Sequence, residues 1–203
     1  TRPVVLGTGT YGWITAGSYH SCRVDGTLEC WGRNSYEALG FAGATTNPSP
    51  TTVGTDVDWT MVAMGTNFGC GLKTGGDLWC WGTNYSGTLG LGFTSASEPP
   101  TQVGAASDWV QVAAGAKHAC AVNAAGELYC WGRNNDGRLG LGHTNTVLAP
   151  ALVGTGWQAV APGMAHTCGV KTDGTLWCWG EGDDGALGDG RAWRAVPGEV
   201  ALP

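Results

Sequence analysis

Charge is scarce in this sequence, and neither a basic cluster nor a long apolar run is present. Only 13% of the 203 residues are charged, and ten basic against sixteen acidic residues give a formal net charge of −6. Because nucleic-acid affinity comes mainly from Lys and Arg neutralising phosphates, this composition predicts no DNA or RNA partner. No apolar run approaches the roughly 20 residues of a membrane helix, so no membrane span is expected either.

The short signatures of catalysis are also missing. The sequence contains no Gly-x-Ser-x-Gly, no His-Glu-x-x-His and no Gly-rich phosphate loop followed by Lys. It contains no Cys-x-x-Cys, which excludes zinc-ribbon and thioredoxin-like spacing. We therefore predict that the protein is not an enzyme and that it uses no cofactor and no metal.

The sequence does contain a repeat. Cys-Trp-Gly begins at Cys30, Cys80, Cys130 and Cys178, so successive copies are 50, 50 and 48 residues apart. A fixed period of this size indicates one supersecondary unit copied in tandem. A residue that recurs in each copy is therefore explained first by its part in building the copy.

The third copy shows the composition of one unit. Residues 109–113 and 118–123 read as strands, a Gly-containing turn returns the chain along 127–131, and 150–153 supplies a fourth strand. Four short antiparallel strands per unit are typical of a propeller blade. We predict an all-β protein, a four-bladed β-propeller that is incomplete or completed by assembly. The predicted blades are approximately 8–54, 55–104, 105–154 and 155–203, with 1–7 as a surplus or ring-closing strand.

The eight cysteines fall into one pair per repeat. In a hairpin centred on Ala125, Cys120 and Cys130 face each other, and opposed strand residues have Cα atoms ~4.5–5.5 Å apart, which a disulfide can bridge. The first hairpin is two residues shorter and must lose a rung. Disulfides persist in oxidising compartments, so we expect a secreted or cell-surface segment whose export signal lies outside this sequence. The predicted pairs are Cys22–Cys30, Cys70–Cys80, Cys120–Cys130 and Cys168–Cys178.

The repeat resembles that of the regulator-of-chromosome-condensation family. The resemblance rests on Ala-Gly-Ser-Tyr-His at 16–20, Trp-Gly-Arg-Asn at 31–34 and Leu-Gly at 39–40, and it covers nearly the whole chain. It implies a β-propeller with loops on two opposite faces, which members use to bind proteins and, in one case, to catalyse nucleotide exchange on the small GTPase Ran. Family propellers typically have seven blades. Four acidic repeats, each with a cysteine pair, do not fit the nuclear exchange activity.

One strand is surplus to the count. The first three strands of a blade occur four times, beginning at Trp13, Trp59, Trp109 and Trp157, whereas the proline-marked fourth strand occurs five times. The N-terminal copy could close the ring in place of the C-terminal one. The chain could instead be four blades of a longer propeller, or the spare strand could pair with a neighbouring molecule. We favour an incomplete or assembling propeller. The five copies are 3–6, 50–53, 100–103, 150–153 and 197–200.

Aromatic residues supply the candidate binding positions. The residue before the second cysteine is Glu29, Trp79, Tyr129 or Trp177, and an exposed aromatic there could stack on sugars or anchor a protein. Burial against the next blade is the favoured alternative. Core packing explains the tryptophans that occupy repeat positions. These are Trp13, Trp31, Trp59, Trp81, Trp109, Trp131, Trp157 and Trp179.

Polar residues at repeat positions are interpreted as structural. His20, His118 and His166 precede a cysteine by two residues, and we expect each imidazole to bond turn backbone rather than a metal. Asn34, Asn84 and Asn134 open the loop after Trp-Gly, where Asn side chains commonly bond nearby backbone. The acidic stretch 181–190 carries oxygen ligands suited to Ca²⁺ but lacks known calcium-loop spacing, so we interpret it as a solvated turn.

The leading functional hypothesis is an extracellular, non-catalytic module for protein–protein interaction or self-assembly. The alternatives are a carbohydrate-binding lectin that uses Trp79, Tyr129 and Trp177 and, as a weaker candidate, an enzyme inhibitor that covers an active site with one propeller face. The fold alone does not choose among them.

Overall fold

The computed structural model describes residues 12–201, which form four antiparallel sheets of four strands each. Each sheet is one blade, and its strands follow the order of the sequence, which confirms the predicted all-β, four-bladed architecture. The strands are β1 (Trp13–Ala16), β2 (His20–Val24), β3 (Leu28–Arg33), β4 (Thr46–Thr52), β5 (Trp59–Met64), β6 (Phe68–Lys73), β7 (Leu78–Asn84), β8 (Ser95–Gln102), β9 (Trp109–Ala114), β10 (His118–Asn123), β11 (Leu128–Gly132), β12 (Val147–Gly154), β13 (Trp157–Pro162), β14 (His166–Lys171), β15 (Leu176–Glu181) and β16 (Trp193–Glu199).

The first strand of each blade lies innermost. β1, β5, β9 and β13 are neighbours in turn and together line one cavity. The outer strand of the fourth blade is its own β16, paired with β15. The predicted surplus strand at 1–7 lies outside the described residues. Among those residues, no helix has the length and apolarity needed to cross a membrane, and the helical content is one 3₁₀ turn at Ser35–Glu37.

In each blade a disulfide joins the second and third strands, which form the central hairpin. All four bridges join the cysteine pairs that the spacing predicts, and these cysteines are directly opposed across the hairpin. Their Cα atoms are 4.1 Å apart, somewhat closer than expected. The first hairpin keeps five strand pairs, from His20–Gly32 to Val24–Leu28, as the others do. The Asp25 N–H also donates to the Thr27 carbonyl at 3.2 Å, which matches the Lys73–Asp77 backbone bond of the second blade. The prediction that the first hairpin loses a rung is therefore wrong, because the two missing residues are taken from the turn.

Neighbouring blades meet through opposite faces of their sheets, and each junction buries one apolar cluster. At the junction of the third and fourth blades, Leu128 and Cys130 pack with Trp157 and Trp179. Trp131 also reaches back to the preceding blade, where its indole N–H donates to the Thr88 carbonyl at 3.0 Å. The predicted packing role of the tryptophans is thus confirmed for the second, third and fourth blades.

Trp13 is an exception, because it does not occupy the repeat position of Trp59. Trp13 lies opposite Val24, just as Met61 lies opposite Leu72, so its register differs from that of Trp59 by two residues. The prediction that Trp13 belongs with Trp59, Trp109 and Trp157 is therefore wrong. Both residues begin a strand, but β1 starts two residues further along the repeat. From its position Trp13 donates its indole N–H to the Val62 carbonyl of the next blade at 2.8 Å.

The asparagines after Trp-Gly have the predicted structural role. In each of the first three blades, the Asn side-chain oxygen accepts a backbone N–H five residues on, and its amide donates to a carbonyl further along the same loop. The loop is thus folded around a buried amide, which satisfies backbone groups that the strands leave unpaired. The residues are Asn34, Asn84 and Asn134.

Candidate functional site

The two end blades each present one sheet face that the described residues leave uncovered. We call the face that a blade turns toward the preceding blade its backward face, and the opposite one its forward face. On the backward faces of the second to fourth blades, Val62, Val112 and Val160 are 1%, 3% and 4% exposed. Ile14 has the same register position in the first blade and is 71% exposed.

The forward face of the fourth blade is open in the same sense. Val170 and Leu176 are half-buried, whereas Val122 and Leu128 at the same positions in the third blade are buried beneath the fourth. A cavity of about 310 Å³ opens on this face at the inner strand β13, and its mainly apolar lining includes Cys168, Val170 and Leu176. Gln111 of the third blade also lines it. In the third blade, the corresponding residues pack against the Trp and Val side chains of the following blade.

The backward face of the first blade differs in polarity from the others. Arg23 and Glu29 form an ion pair across the hairpin, with Nε–Oε2 at 2.6 Å. The same pair of positions holds Gly71 and Trp79 in the second blade. The first blade therefore combines an exposed Ile and a partly exposed Trp with a polar centre, while the fourth blade presents an almost wholly apolar surface.

The predicted binding aromatics are partly buried within their own blades. The ammonium of Lys73 lies 4.3 Å from the ring centroid of Trp79 and 5.0 Å from that of Trp59, an arrangement of cation–π type. Lys171 has the same relation to Trp177 and Trp157. In both blades the lysine occupies ring surface on which a sugar would have to stack.

Tyr129, the third predicted binding aromatic, has a different environment. Its ring meets Trp109 edge to face at 5.2 Å, and its hydroxyl donates to the Glu127 carboxylate at 3.0 Å. That hydrogen bond is the main reason why the pKa of the Tyr129 phenol is raised. The three aromatics stand in three separate blades, so the structure does not bring them together into one site.

Two of the three repeat-position histidines, His20 and His118, are buried at blade junctions, whereas His166 of the fourth blade is partly exposed. Burial lowers the pKa of His20 to about 4 and that of His118 to about 3, since desolvation disfavours the charged imidazolium. His118 Nε2 lies 2.8 Å from Thr167 Oγ1 of the next blade. The expectation of a bond to turn backbone is therefore wrong for His118, because the adjoining blade brings a hydroxyl within reach. Across residues 12–201, no three His, Cys, Asp or Glu side chains form a metal-binding group.

The acidic stretch of the fourth blade is solvated only in part. Asp183 and Asp184 are exposed, as predicted for a surface turn. Asp189 instead accepts a hydrogen bond from the Arg194 guanidinium at 2.8 Å and is mostly buried. Sequence reasoning missed this pair because Arg194 reaches the loop from the outer strand β16.

Sequence reasoning also missed two exposed tyrosines in the loops of the first two blades. Tyr36 and Tyr85 meet edge to face, with ring centroids 5.7 Å apart. Neither residue recurs in the other copies, where the corresponding positions hold Ser, Asn or Asp. Departure from the repeat was the available signal, since a residue that builds every blade must be present in every blade.

Comparison with known families agrees with this architecture. The regulator of chromosome condensation (RCC1) repeat is matched by one family model at residues 60–88, 109–138 and 159–186, and by a second at residues 75–122 and 125–170. Together the matches cover more than half of the chain. No curated protein sequence matches it.

Solved structures show the same fold at low sequence identity. Human WBSCR16 is 21% identical, with a TM-score of 0.87 over 100% of this chain and 56% of that one. Prp20p from Saccharomyces cerevisiae is 22% identical, with a TM-score of 0.87 over 98% of this chain and 52% of that one. Yeast RCC1 (Prp20) bound to Kap60 is 22% identical, with a TM-score of 0.86 over 97% of this chain and 50% of that one. This chain spans about half the length of these structures. Four blades with these repeat matches show that the chain belongs to the regulator of chromosome condensation (RCC1) repeat family.

Proposed function

We propose that this protein is an extracellular, non-catalytic interaction module that assembles through its two open blade faces. The observation that carries the proposal is the apolar forward face of the fourth blade, with its cavity of about 310 Å³. Contiguous apolar surface of this kind commonly marks an interaction site. The fold relatives support a binding role, since yeast Prp20 is described in complex with Kap60 and for its binding to Gsp1p and histones.

A second copy of the chain is the partner that fits this face. Every internal junction joins a forward face to a backward face, and the first blade offers a backward face with Ile14 exposed. The Ile14 side chain of one copy would take the place beside Val170 and Leu176 that Val160 takes in the third blade's junction. Such a contact is head to tail, and two copies related by a two-fold axis would close a ring of eight blades, within the range of known propellers.

Light scattering of the 203-residue chain tests the assembly. We expect twice the 20.8 kDa mass at micromolar concentration, and the monomer mass for Ile14→Asp, because a buried carboxylate opposes association. Val57→Asp is the matched control, since Val57 is as exposed as Ile14 but lies in a loop outside both faces. A mixture of Ile14→Asp with Leu176→Asp should pair through the one intact interface. A monomer at every concentration contradicts the proposal.

The extracellular location is supported by the four disulfides, which leave no free cysteine in the described chain. Mass spectrometry of the protein isolated from its source under alkylating conditions measures the thiols directly. We expect none to be labelled. Eight labelled thiols would contradict the location without touching the assembly.

A further inference from the structure

A second candidate site lies among the loops at one end of the propeller, and polar and aromatic side chains line it. A cavity of about 210 Å³ lies over the second blade, between loops of the first three blades. Its lining includes Tyr36 from the first blade, Tyr85 and Asn67 from the second and Lys117 from the third. We call it the tyrosine cavity. No carboxylate lines it, although the chain carries an excess of acidic residues.

The residues of the tyrosine cavity are those that break the repeat. Tyr36 corresponds to Ser86 and Asp136 in the next two blades, and Tyr85 corresponds to Asn135. One blade further along, an Asp136–Arg138 ion pair stands where the second blade has Ser86 and Thr88. Blade architecture therefore does not demand this lining, and another requirement has to explain it.

The backbone that presents Tyr36 is strained. Tyr36 and Glu37 both have left-handed conformations, with φ of 60° and 57°. At the position of Glu37 the other blades have glycine, which adopts positive φ without cost: Gly87, Gly137 and Gly185. Non-glycine residues are rarely held in this region, and those that are cluster at active sites and ligand-binding sites. Here the strain places the Tyr36 ring against Tyr85, and both rings stay about half or more exposed, at 48% and 61%.

The chemistry of the lining specifies the ligand. Among residues 12–201, no hydrogen-bond partner engages the Tyr36 and Tyr85 hydroxyls, the Asn67 side-chain amide or the Lys117 ammonium, so all four can bind a ligand. Hydroxyl and amide groups both donate and accept, as the hydroxyls of a sugar require. The perpendicular rings provide a platform and a wall for a pyranose, and the single ammonium suits a carboxylate, where a charge-assisted bond forms.

We propose that the tyrosine cavity binds a carboxylate-bearing pyranose, such as a uronic-acid or sialic-acid unit of an acidic glycan. The volume admits one sugar ring, so recognition is of a terminal or single internal unit. An acidic peptide side chain presents a carboxylate too, but it lacks the hydroxyls that would pair with the tyrosines, Asn67 and the neighbouring Ser and Thr groups.

Isothermal titration with trigalacturonate and sialyllactose, against lactose and a hexaglutamate peptide, tests the site. We expect binding of at least one acidic sugar, tenfold or more weaker binding after Lys117→Gln, and loss after Tyr85→Ala. Tyr19→Ala is the matched control, because Tyr19 is exposed on the same end of the propeller but does not line this cavity. It should bind like the unaltered protein.

Each other outcome overturns the proposal. Equal affinity for lactose removes the role of Lys117, tighter binding of hexaglutamate makes the site a peptide site, and no binding of either acidic sugar removes the site. The Ile14→Asp monomer should bind the sugar as well as the unaltered protein does, so failure of the blade-face assembly and failure of the tyrosine cavity are separable.

Discussion

The junction between the third and fourth blades and the open face of the fourth blade consist of the same repeat residues in two environments. At the junction, Val122 and Leu128 are buried beneath Trp157 and Trp179. On the open face, Val170 and Leu176 remain half-buried beside a cavity. A repeat residue thus becomes core or surface according to its neighbour, as expected when each unit is stabilised mainly by the next one.

The largest difference in stability between covered and open faces is expected at the Trp of Cys-Trp-Gly. Trp131 is fully buried at a junction, whereas Trp31 is only partly buried on the backward face of the first blade. We expect Trp131→Ala to lower the free energy of unfolding by about 3–5 kcal/mol, through lost burial and the cavity left behind. Trp31→Ala should cost less than half as much. Urea unfolding followed by circular dichroism measures both, and equal losses would show that a covering blade adds nothing to the stability contributed by this Trp.

An intermediate loss of stability is expected at a turn glycine whose backbone lies close to the backbone of the next blade. A Cβ on Gly115 would collide with the Gly163 carbonyl of the next blade, which is fixed backbone. A Cβ on Gly163 would meet mainly the ring of its own His166, which is partly exposed and can turn away. Gly115→Ala should therefore destabilise by about 1–3 kcal/mol, as overpacking does. The melting temperature should fall clearly less for Gly163→Ala than for Gly115→Ala. The reverse order would mean that the junction between the third and fourth blades accommodates the added methyl group more easily than the His166 ring does.

Acidification should have the smallest effect per pH unit on the free energy of unfolding, through two histidines buried at blade junctions. The folded-state pKa values of His20 and His118, about 4 and about 3, lie below the unfolded value of 6.5. The unfolded chain therefore binds more protons below pH 6.5. The free energy of unfolding is therefore highest above pH 6.5, where both imidazoles are neutral in the folded and the unfolded chain. It falls by about 1.4 kcal/mol per pH unit for each histidine, down to about pH 4 for His20 and about pH 3 for His118.

His118→Phe isolates that contribution, because the second blade already has Phe68 at the same repeat position. Urea unfolding at pH 7.0, 6.0 and 5.0 should show a pH slope reduced by about one histidine's share. An unchanged slope in His118→Phe would show that the buried imidazole is not what makes this junction sensitive to acid.

Much of the fold could be read from the residues themselves. The 50-residue period predicts the number of blades, and the spacing of Cys120 and Cys130 about a symmetric turn predicts their bridge. Both are local properties, since a hairpin sets its own register. Trp13 shows the limit of this reasoning: a Trp near the start of a strand looks like Trp59 until strand pairing reveals the two-residue offset.

The candidate sites depended on contacts that no local pattern encodes. Lys73 covers Trp79 because β6 and β7 place them side by side, and Thr167 reaches His118 from another blade. Tyr36 and Tyr85 are 49 residues apart and meet only because consecutive blades stack their loops. The strands of each blade, its disulfide and the number of blades follow from the amino-acid order alone, because they depend on short-range pairing. Which faces stay open and which loops enclose a cavity was decided by how whole blades pack against one another.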